Sequence, residues 1–216
     1  MREQKSTTRI LIADDHRLLA DACKNLLEPE FEVVGIVTEG RSLIHSAIEL
    51  KPDIIILDIS MPQLNGLDAG TQVKRKLPRV KLVFLTMNMA AEVAAEAFRR
   101  GASAYVLKQS AADELLLAVR KVQHGFSYLS PLVAKETVAY LQSQQKHFSV
   151  EKRITERQSE VLQLLAEGMS MKEVANMIDV TPGTVAFHKY RMMETLNIKT
   201  NAALLEYAIK RNMTPA

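Results

Sequence analysis

Five polar side chains stand at the ends of four aliphatic runs: the acid pair Asp14 and Asp15, then Asp58, Thr86 and Lys108. If those runs are parallel strands of one open sheet, all five groups arrive at the same edge. Adjacent carboxylates disfavour each other's ionisation unless a cation or ammonium compensates them, so Asp14 and Asp15 point to a cation. Mg2+ takes oxygen ligands in octahedral geometry and keeps several waters, and two or three carboxylates plus a phosphate oxygen would serve it. Asp58 could then act as a nucleophile, attacking a phosphoryl donor and holding the product as an acyl phosphate. Lys108 would offset the phosphoryl charge, and the Thr86 hydroxyl would bond one of its oxygens. Each piece alone has an ordinary structural reading, because acids after strands are common turn and cap residues and a lone lysine is usually solvated. The specific signal is their coincidence, together with the loop Met61-Pro62-x-x-x-Gly66 that follows Asp58.

The elements that must position these groups alternate. Arg9–Ala13, Glu32–Val37, Asp53–Leu57, Val80–Leu85 and Ala104–Leu107 are short runs rich in Val and Ile, the pattern of buried parallel strands. Amphipathic stretches at 16–28, 40–50, 66–77, 89–100 and 111–124 separate them, several closed by Pro29, Pro52, Pro78, Gly101 or Gly125. Such alternation predicts βαβ units. Right-handed crossovers then put helices on both faces, and ligands bind at the carboxyl ends of the strands near a topological switch point.

A chain of 216 residues is long enough for two modest domains. Hydrophobic content of 47% with 25% charged residues is ordinary for soluble protein, and aliphatic runs such as Ile54–Leu57 are far too short to span a bilayer. Residues 1–8 are polar with no apolar run behind them, so no secretory signal is expected and a cytoplasmic location is the default. Cys23 stands alone, and no Cys/His cluster has structural-zinc spacing. The net charge of +3 is too small to announce nucleic-acid binding, and it is spread evenly: residues 1–129 hold 17 basic and 16 acidic side chains, residues 151–216 hold 9 and 8. Any DNA contact must come from a local arrangement.

Ala13-Asp14-Asp15-His16, Leu57-Asp58-Ile59-Ser60-Met61-Pro62, Leu85-Thr86-Met87 and Gly101-Ala102-Ser103-Ala104-Tyr105-Val106-Leu107-Lys108 resemble the motifs of the receiver domains of two-component response regulators, over about residues 8–126. The resemblance implies a flavodoxin-like α/β fold with five parallel strands in the order 2-1-3-4-5. It also implies that Asp58 accepts phosphate from a sensor histidine kinase with Thr86 and Lys108 assisting. Asp15, Asp58 and the Ser60 carbonyl would ligate Mg2+, with Asp14 acting through water. Thr86 and Tyr105 would be the switch pair, the hydroxyl moving toward the phosphate and the ring turning inward. Gln109 departs from the proline that many receivers place after the lysine. Ser60 and Asn88 either flank the phosphoryl group or are simple loop residues.

The second half carries helix starts in close succession. Residues 127–151 read as a partly helical or extended linker. Thr155-x-x-Gln158 and Ser170-x-x-Glu173 are capping boxes, Thr181-Pro182 gives an N-cap with proline at N1, and Gly168 closes the first helix. Helices are thus predicted over 156–167, 171–178 and 182–196, the last two at helix-turn-helix spacing, with a fourth after Thr200. Capped helices alone fit an interaction bundle as well as a DNA reader. On the third helix, Val185, Met192 and Leu196 share an inward stripe, while Gly183, Phe187, Tyr190, Arg191 and Glu194 face outward. His188 and Lys189 fall near the stripe's edges, so His188 reads as a packed or phosphate-facing group.

Ile154-Thr155-Glu156-Arg157-Gln158, Leu165-Ala166-Glu167-Gly168-Met169-Ser170, Lys172-Glu173-Val174-Ala175 and Thr184-Val185-x-x-His188 resemble the LuxR-type output domain of NarL/FixJ-class regulators, over residues 152–211. The resemblance implies a small all-α four-helix domain, major-groove entry by the third helix, dimerisation through the fourth and paired half-sites. Thr184, Phe187, His188, Lys189, Tyr190, Arg191 and Lys199 are the expected DNA contacts, with Lys189, Arg191 and Lys199 on the backbone and Phe187 against a thymine methyl. Ala186 and Thr195 stand where the family commonly has lysine, which argues for weaker binding or a different sequence preference. The expected function is a cytoplasmic transcriptional regulator, not an enzyme, that pairs as a homodimer on double-stranded promoter DNA when phosphorylated, with RNA polymerase as a further partner and no membrane contact. In the unmodified state the receiver is expected to cover the recognition helix. The competing readings are an output bundle that sequesters a protein partner and, more remotely, an aspartate-nucleophile phosphatase, whose second acid two residues after the nucleophile is replaced here by Ser60. No G-x-x-x-x-G-K-[ST] loop is present for a nucleotide hydrolase.

Overall fold

The computed structural model describes residues 7–146, 154–211 and 213. The predicted strands form as β1 (Arg9–Ala13), β2 (Glu32–Val37), β3 (Ile54–Leu57), β4 (Lys81–Thr86) and β5 (Ala102–Leu107). The intervening and following helices are α1 (Arg17–Leu27), α2 (Gly40–Leu50), α3 (Gly66–Lys76), α4 (Ala91–Arg99) and α5 (Ala111–Gln123). Boundaries differ from the expected ones by one or two residues, as frayed ends do. β3 is apolar throughout because both faces of the parallel sheet are covered. Leu11, Ile55, Leu57, Phe84 and Tyr105 face a core shared with α2, α3 and α4. Ile10, Ile12, Ile54, Ile56 and Val106 face the opposite core, with α1 and α5. The strand order reverses at β1 and β3, so the crevice of this sheet opens between Asp14 and Asp58.

Among the described residues the sheet has six strands rather than the expected five. β6 (Tyr128–Leu129) lies parallel to β5, pairing Tyr128 with Ala104 and Leu129 with Tyr105. Side chains fix this short strand. Glu114 accepts from the Tyr128 hydroxyl at 3.0 Å and from the Ser130 hydroxyl, while Lys121 Nζ sits 5.1 Å from the Tyr128 ring centre. Burial, then the Glu114 carboxylate, push the Tyr128 phenol up to about 12. α6 (Pro131–Lys146) follows and packs against α4, adding Val133 to the core that contains Tyr105. Thr137 on its buried face donates back to the Val133 carbonyl at 2.6 Å. No helix among the described residues is long and apolar enough to cross a membrane.

The second half folds as α7 (Glu156–Ala166), α8 (Met171–Met177), α9 (Pro182–Leu196) and α10 (Asn201–Lys210). Both capping boxes form, with Thr155 and Ser170 each accepting from the backbone three residues on and receiving the reciprocal bond. Thr181 caps α9 ahead of Pro182, and Thr200 caps α10. Val161, Leu164, Val174, Val185, Met192, Leu204 and Ala208 make a separate small core.

The loop after β3 leaves no room for side-chain volume at two glycines. A Cβ on Gly66 would lie 1.9 Å from the Asp58 carbonyl oxygen, and one on Gly40 would lie 1.8 Å from that of Leu64. Gly66 N–H also closes the loop by donating to the Ile59 carbonyl at 2.8 Å. Gly66→Ala should therefore destabilise the fold by about 1–3 kcal/mol, as overpacking against fixed backbone does. Urea unfolding should give a lower midpoint with an unchanged slope; an unmoved midpoint would contradict the tight approach.

Candidate functional site

Each strand delivers its polar group at the carboxyl edge. Asp58 directly follows β3 and is 2% exposed. Its amide donates to the Ala13 carbonyl at 2.8 Å, which ties the end of β3 to the end of β1. Asp58 Oδ1 accepts from the Ile59 amide at 2.6 Å, and Oδ2 accepts from Lys108 Nζ at 2.8 Å. Asp14, equally buried, accepts from the same ammonium at 2.9 Å and from the His16 amide at 2.9 Å. Lys108 directly follows β5, on the far side of β4 from β3, and its long side chain reaches across to Asp14 and Asp58.

Charge explains the arrangement. Burial pushes the Asp14 carboxyl above its ordinary range, partly offset by Lys108. Burial would lower the Lys108 ammonium, but Asp58 and Asp14 outweigh it and hold the group above its ordinary value. One ammonium thus faces two buried carboxylates, with a third close by. Donor atoms of Asp14, Asp15, His16 and Asp58 lie within 4.8 Å of one another. An oxygen-rich donor set with surplus negative charge fits a hard divalent cation such as Mg2+. His16 was not foreseen in this cluster. Its Nδ1 lies 2.9 Å from Asp15, and its position directly after the acid pair was the available signal.

Thr86 ends β4, is 1% exposed, and accepts from the Asn88 amide through its hydroxyl at 3.2 Å. The Tyr105 hydroxyl donates to the Asn88 carbonyl at 2.8 Å. The two expected switch residues therefore meet on one loop residue, and Tyr105 is wholly buried, its phenol pushed far up by burial. Asn88 uses its own side chain to accept from the Ala90 amide at 2.7 Å, the role of a loop residue. Ser60 stands half-buried two residues beyond Asp58.

On α9 the calculated faces hold. Val185 and Met192 are fully buried, whereas Phe187 and Tyr190 are 61% and 62% exposed and Arg191 lies in solvent. Lys189 Nζ sits 5.6 Å from the Tyr190 ring centre, Phe187 meets His188 edge-on at 5.7 Å, and Arg191 pairs with Glu194 at 2.8 Å. Thr184 belongs to the helix cap, its hydroxyl 2.9 Å from that of Thr181. Lys199 is exposed in the turn after α9, apart from the helix. The receiver does not cover the outward face of α9, contrary to expectation: it is α7 that docks on the first half, through α3. Sequence inspection could not foresee this, because the docking residues of α7 are polar.

Comparison with known proteins covers both halves. The family model for the response regulator receiver domain matches residues 10–120. The family model for bacterial regulatory proteins of the luxR family matches residues 152–208. The response regulator protein VraR of Staphylococcus aureus is 32% identical over 209 residues, which span 96% of this chain and 99% of that protein. A structure of the RcsB response regulator of Salmonella typhimurium, from work on conformational dynamism for DNA interaction, is 27% identical with a TM-score of 0.65 and covers 95% of this chain and 98% of its own. RcsB of Salmonella enterica serovar Typhimurium bound to a promoter in the presence of the phosphomimetic BeF3− is 27% identical with a TM-score of 0.61, covering 96% and 100%.

The raised Asp14 carboxyl has a consequence for stability. The folded chain holds that proton more tightly than the unfolded chain, so ionisation at neutral pH works against folding. Asp14→Asn should raise stability at pH 7 by about 1 kcal/mol, within the ordinary range of single stabilising substitutions. The gain should be full above the raised folded value and vanish below the ordinary carboxylate value. Urea midpoints at pH 7 and pH 4 check both sign and trend, and a destabilised variant at pH 7 would refute the electrostatic account.

Proposed function

The chain belongs to the response regulators that join a receiver domain to a LuxR-type DNA-binding domain, and we propose that phosphorylation of Asp58 controls its pairing on promoter DNA. The family is one of transcription factors and not of enzymes. In this reading the receiver spans residues 8–126, the linker 127–151 and the output domain 152–211, and the protein works in the cytoplasm. The carrying observation is the Lys108 ammonium set between Asp58 at 2.8 Å and Asp14 at 2.9 Å, with Asp15 in the same cluster.

The chemistry follows from those groups. An Asp58 carboxylate oxygen attacks the phosphorus of a phosphohistidine on a sensor kinase. The new O–P bond forms as the P–N bond breaks, and the electron pair of that bond leaves with the imidazole nitrogen. Asp15, Asp58 and the Ser60 carbonyl would hold Mg2+, with Asp14 acting through water; the ion supplies charge neutralisation at the phosphoryl oxygens. Lys108 moves with the transferred group and offsets its charge, while the Thr86 hydroxyl, whose oxygen accepts from the Asn88 amide, donates its proton to a phosphoryl oxygen.

For the output half, the exposed Phe187, Tyr190 and Arg191 on a capped third helix support major-groove reading. Thr184 and His188 flank that face, and Lys189, Arg191 and Lys199 would contact the backbone. A relative bound to a promoter beside a phosphomimetic supports a link between the two halves. The fourth helix, α10, would supply the homodimer contact, and RNA polymerase would be a further partner. Ala186 and Thr195 remove two usual cationic contacts, which favours a weaker or differently specific reader. The same departures, with the exposed Phe187, favour the second reading, an output domain that sequesters a protein partner.

The full chain should gain one phosphoryl group in mass when incubated with Mg2+ and acetyl phosphate, and Asp58→Ala should gain none. Phosphorylation should tighten duplex DNA binding, with affinity falling as salt rises. Lys199→Ala should weaken binding to all sequences and flatten the salt slope by about one per protomer. A modified Asp58→Ala protein would sink the phosphoacceptor assignment, and DNA affinity indifferent to both phosphorylation and salt would favour the sequestering alternative.

A further inference from the structure

The two most exposed methionines among the described residues stand two positions apart in the loop that leaves the carboxyl end of β4. Met87 is 66% exposed and Met89 52%, whereas Met171 and Met177 reach only 36% and 37% and Met61 and Met192 are fully buried. The pair brackets Asn88, whose amide donates to the Thr86 hydroxyl at 3.2 Å and whose carbonyl accepts from the Tyr105 hydroxyl at 2.8 Å. On the neighbouring strand end Gln109 directly follows Lys108, and its Nε2 donates to the Met89 sulfur at 3.8 Å. A thioether is a weak acceptor, so this contact holds the loop to the end of β5 only loosely.

We propose that Met89 is an oxidation site, and that its sulfoxide latches the loop after β4 to Gln109 and slows phosphorylation. The modification needs only the exposed thioether; its consequence rests on the reading of Asp58 as the phosphoacceptor. A peroxide supplies the oxygen. The sulfur lone pair attacks one peroxide oxygen, and the S–O bond forms as the O–O bond breaks. The sulfur-bound hydroxyl then gives its proton to the departing hydroxide, leaving sulfoxide and water, with sulfur oxidised and peroxide reduced by two electrons. The product is polar where the thioether was not, and the Gln109 amide already points at it.

Two observations favour this site. Cys23, the single thiol of the chain, is 3% exposed, and burial pushes it up to about 11, so little thiolate is present to take the oxidant first. The second is Gln109 itself. It places an amide donor directly after the lysine whose ammonium bridges Asp14 and Asp58, where a proline would offer none. Thr86 and Lys108 both adjust as a phosphoryl group arrives, and a firmer Met89–Gln109 bond ties together the two chain segments that carry them. Among the described residues no such donor meets Met87, whose oxidation is therefore an internal control.

The test treats the full chain with hydrogen peroxide, removes the excess with catalase and maps sulfoxide by peptide mass. The initial rate of acyl-phosphate formation with Mg2+ and acetyl phosphate then reads the latch. Met89 should oxidise together with Met87 and ahead of Met171 and Met177, and the oxidised chain should phosphorylate about fivefold more slowly, the worth of one neutral hydrogen bond. Met89→Leu and Gln109→Ala should each keep their untreated rate after peroxide, while Met87→Leu should slow as the wild type does. Met89→Gln, which sets an amide oxygen near the place of the sulfoxide oxygen, should be slow without any oxidant. Met89 oxidising behind Met171 and Met177 overturns the site. An oxidised wild type with an undiminished rate, or slowing that persists in Met89→Leu or Gln109→Ala, overturns the latch. A wild-type chain that takes up no phosphoryl group overturns the phosphoacceptor reading and the consequence with it, while peptide mapping still decides where oxidation falls.

Discussion

One buried ammonium organises the receiver half. Lys108 lies between Asp14 and Asp58, and without it two carboxylates would share a desolvated crevice with nothing to balance them. That constraint accounts for the order of the sheet edge: β1 and β3 must be neighbours to bring the acids together, and β5 must end within reach of both. It also makes the site an unfinished electrostatic arrangement, since one positive charge faces a cluster of three acids. The chain holds this imbalance in a rigid frame, with the Asp58 amide bonded to β1 and the loop beyond it closed by Gly66.

Much of this was legible in the residues. The run Ile54–Leu57 has the pattern of a strand covered on both faces, and the alternation of elements puts the polar groups at the strand ends on one edge. Capping boxes at Thr155 and Ser170 located two helix starts because the bonds they predict are local. The misses in the fold were long-range. β6 is two residues long, too short for alternation to be visible, and it depends on Glu114 from another helix. The cover over α7 was invisible for the opposite reason. Ser159 and Gln163 are polar, and polar side chains give no sign that a second domain will satisfy them. The roles given to the individual α9 residues rest on helix geometry, which orders faces but does not say what they meet.

The two halves are joined by different physics from that which builds each of them. Among the described residues apolar burial makes three separate cores, while the contact between receiver and output domain is made of amides, carboxylates, a hydroxyl and guanidinium groups. Cores of this kind are indifferent to a small change at one carboxylate. A hydrogen-bonded contact made through backbone groups three to seven residues from Asp58 is sensitive to it. Stability and responsiveness are thereby separated within one chain.

The anchoring of β6 and α6 to the receiver sets a limit on how far the output domain can travel. α6 carries the chain in ordered form to Lys146, and the described output residues resume at Ile154. Even fully extended, that interval reaches at most about 30 Å. A span so short keeps the two halves at a mutual effective concentration on the order of millimolar. Any contact between them is therefore intramolecular, and an outside partner for either surface competes against that concentration.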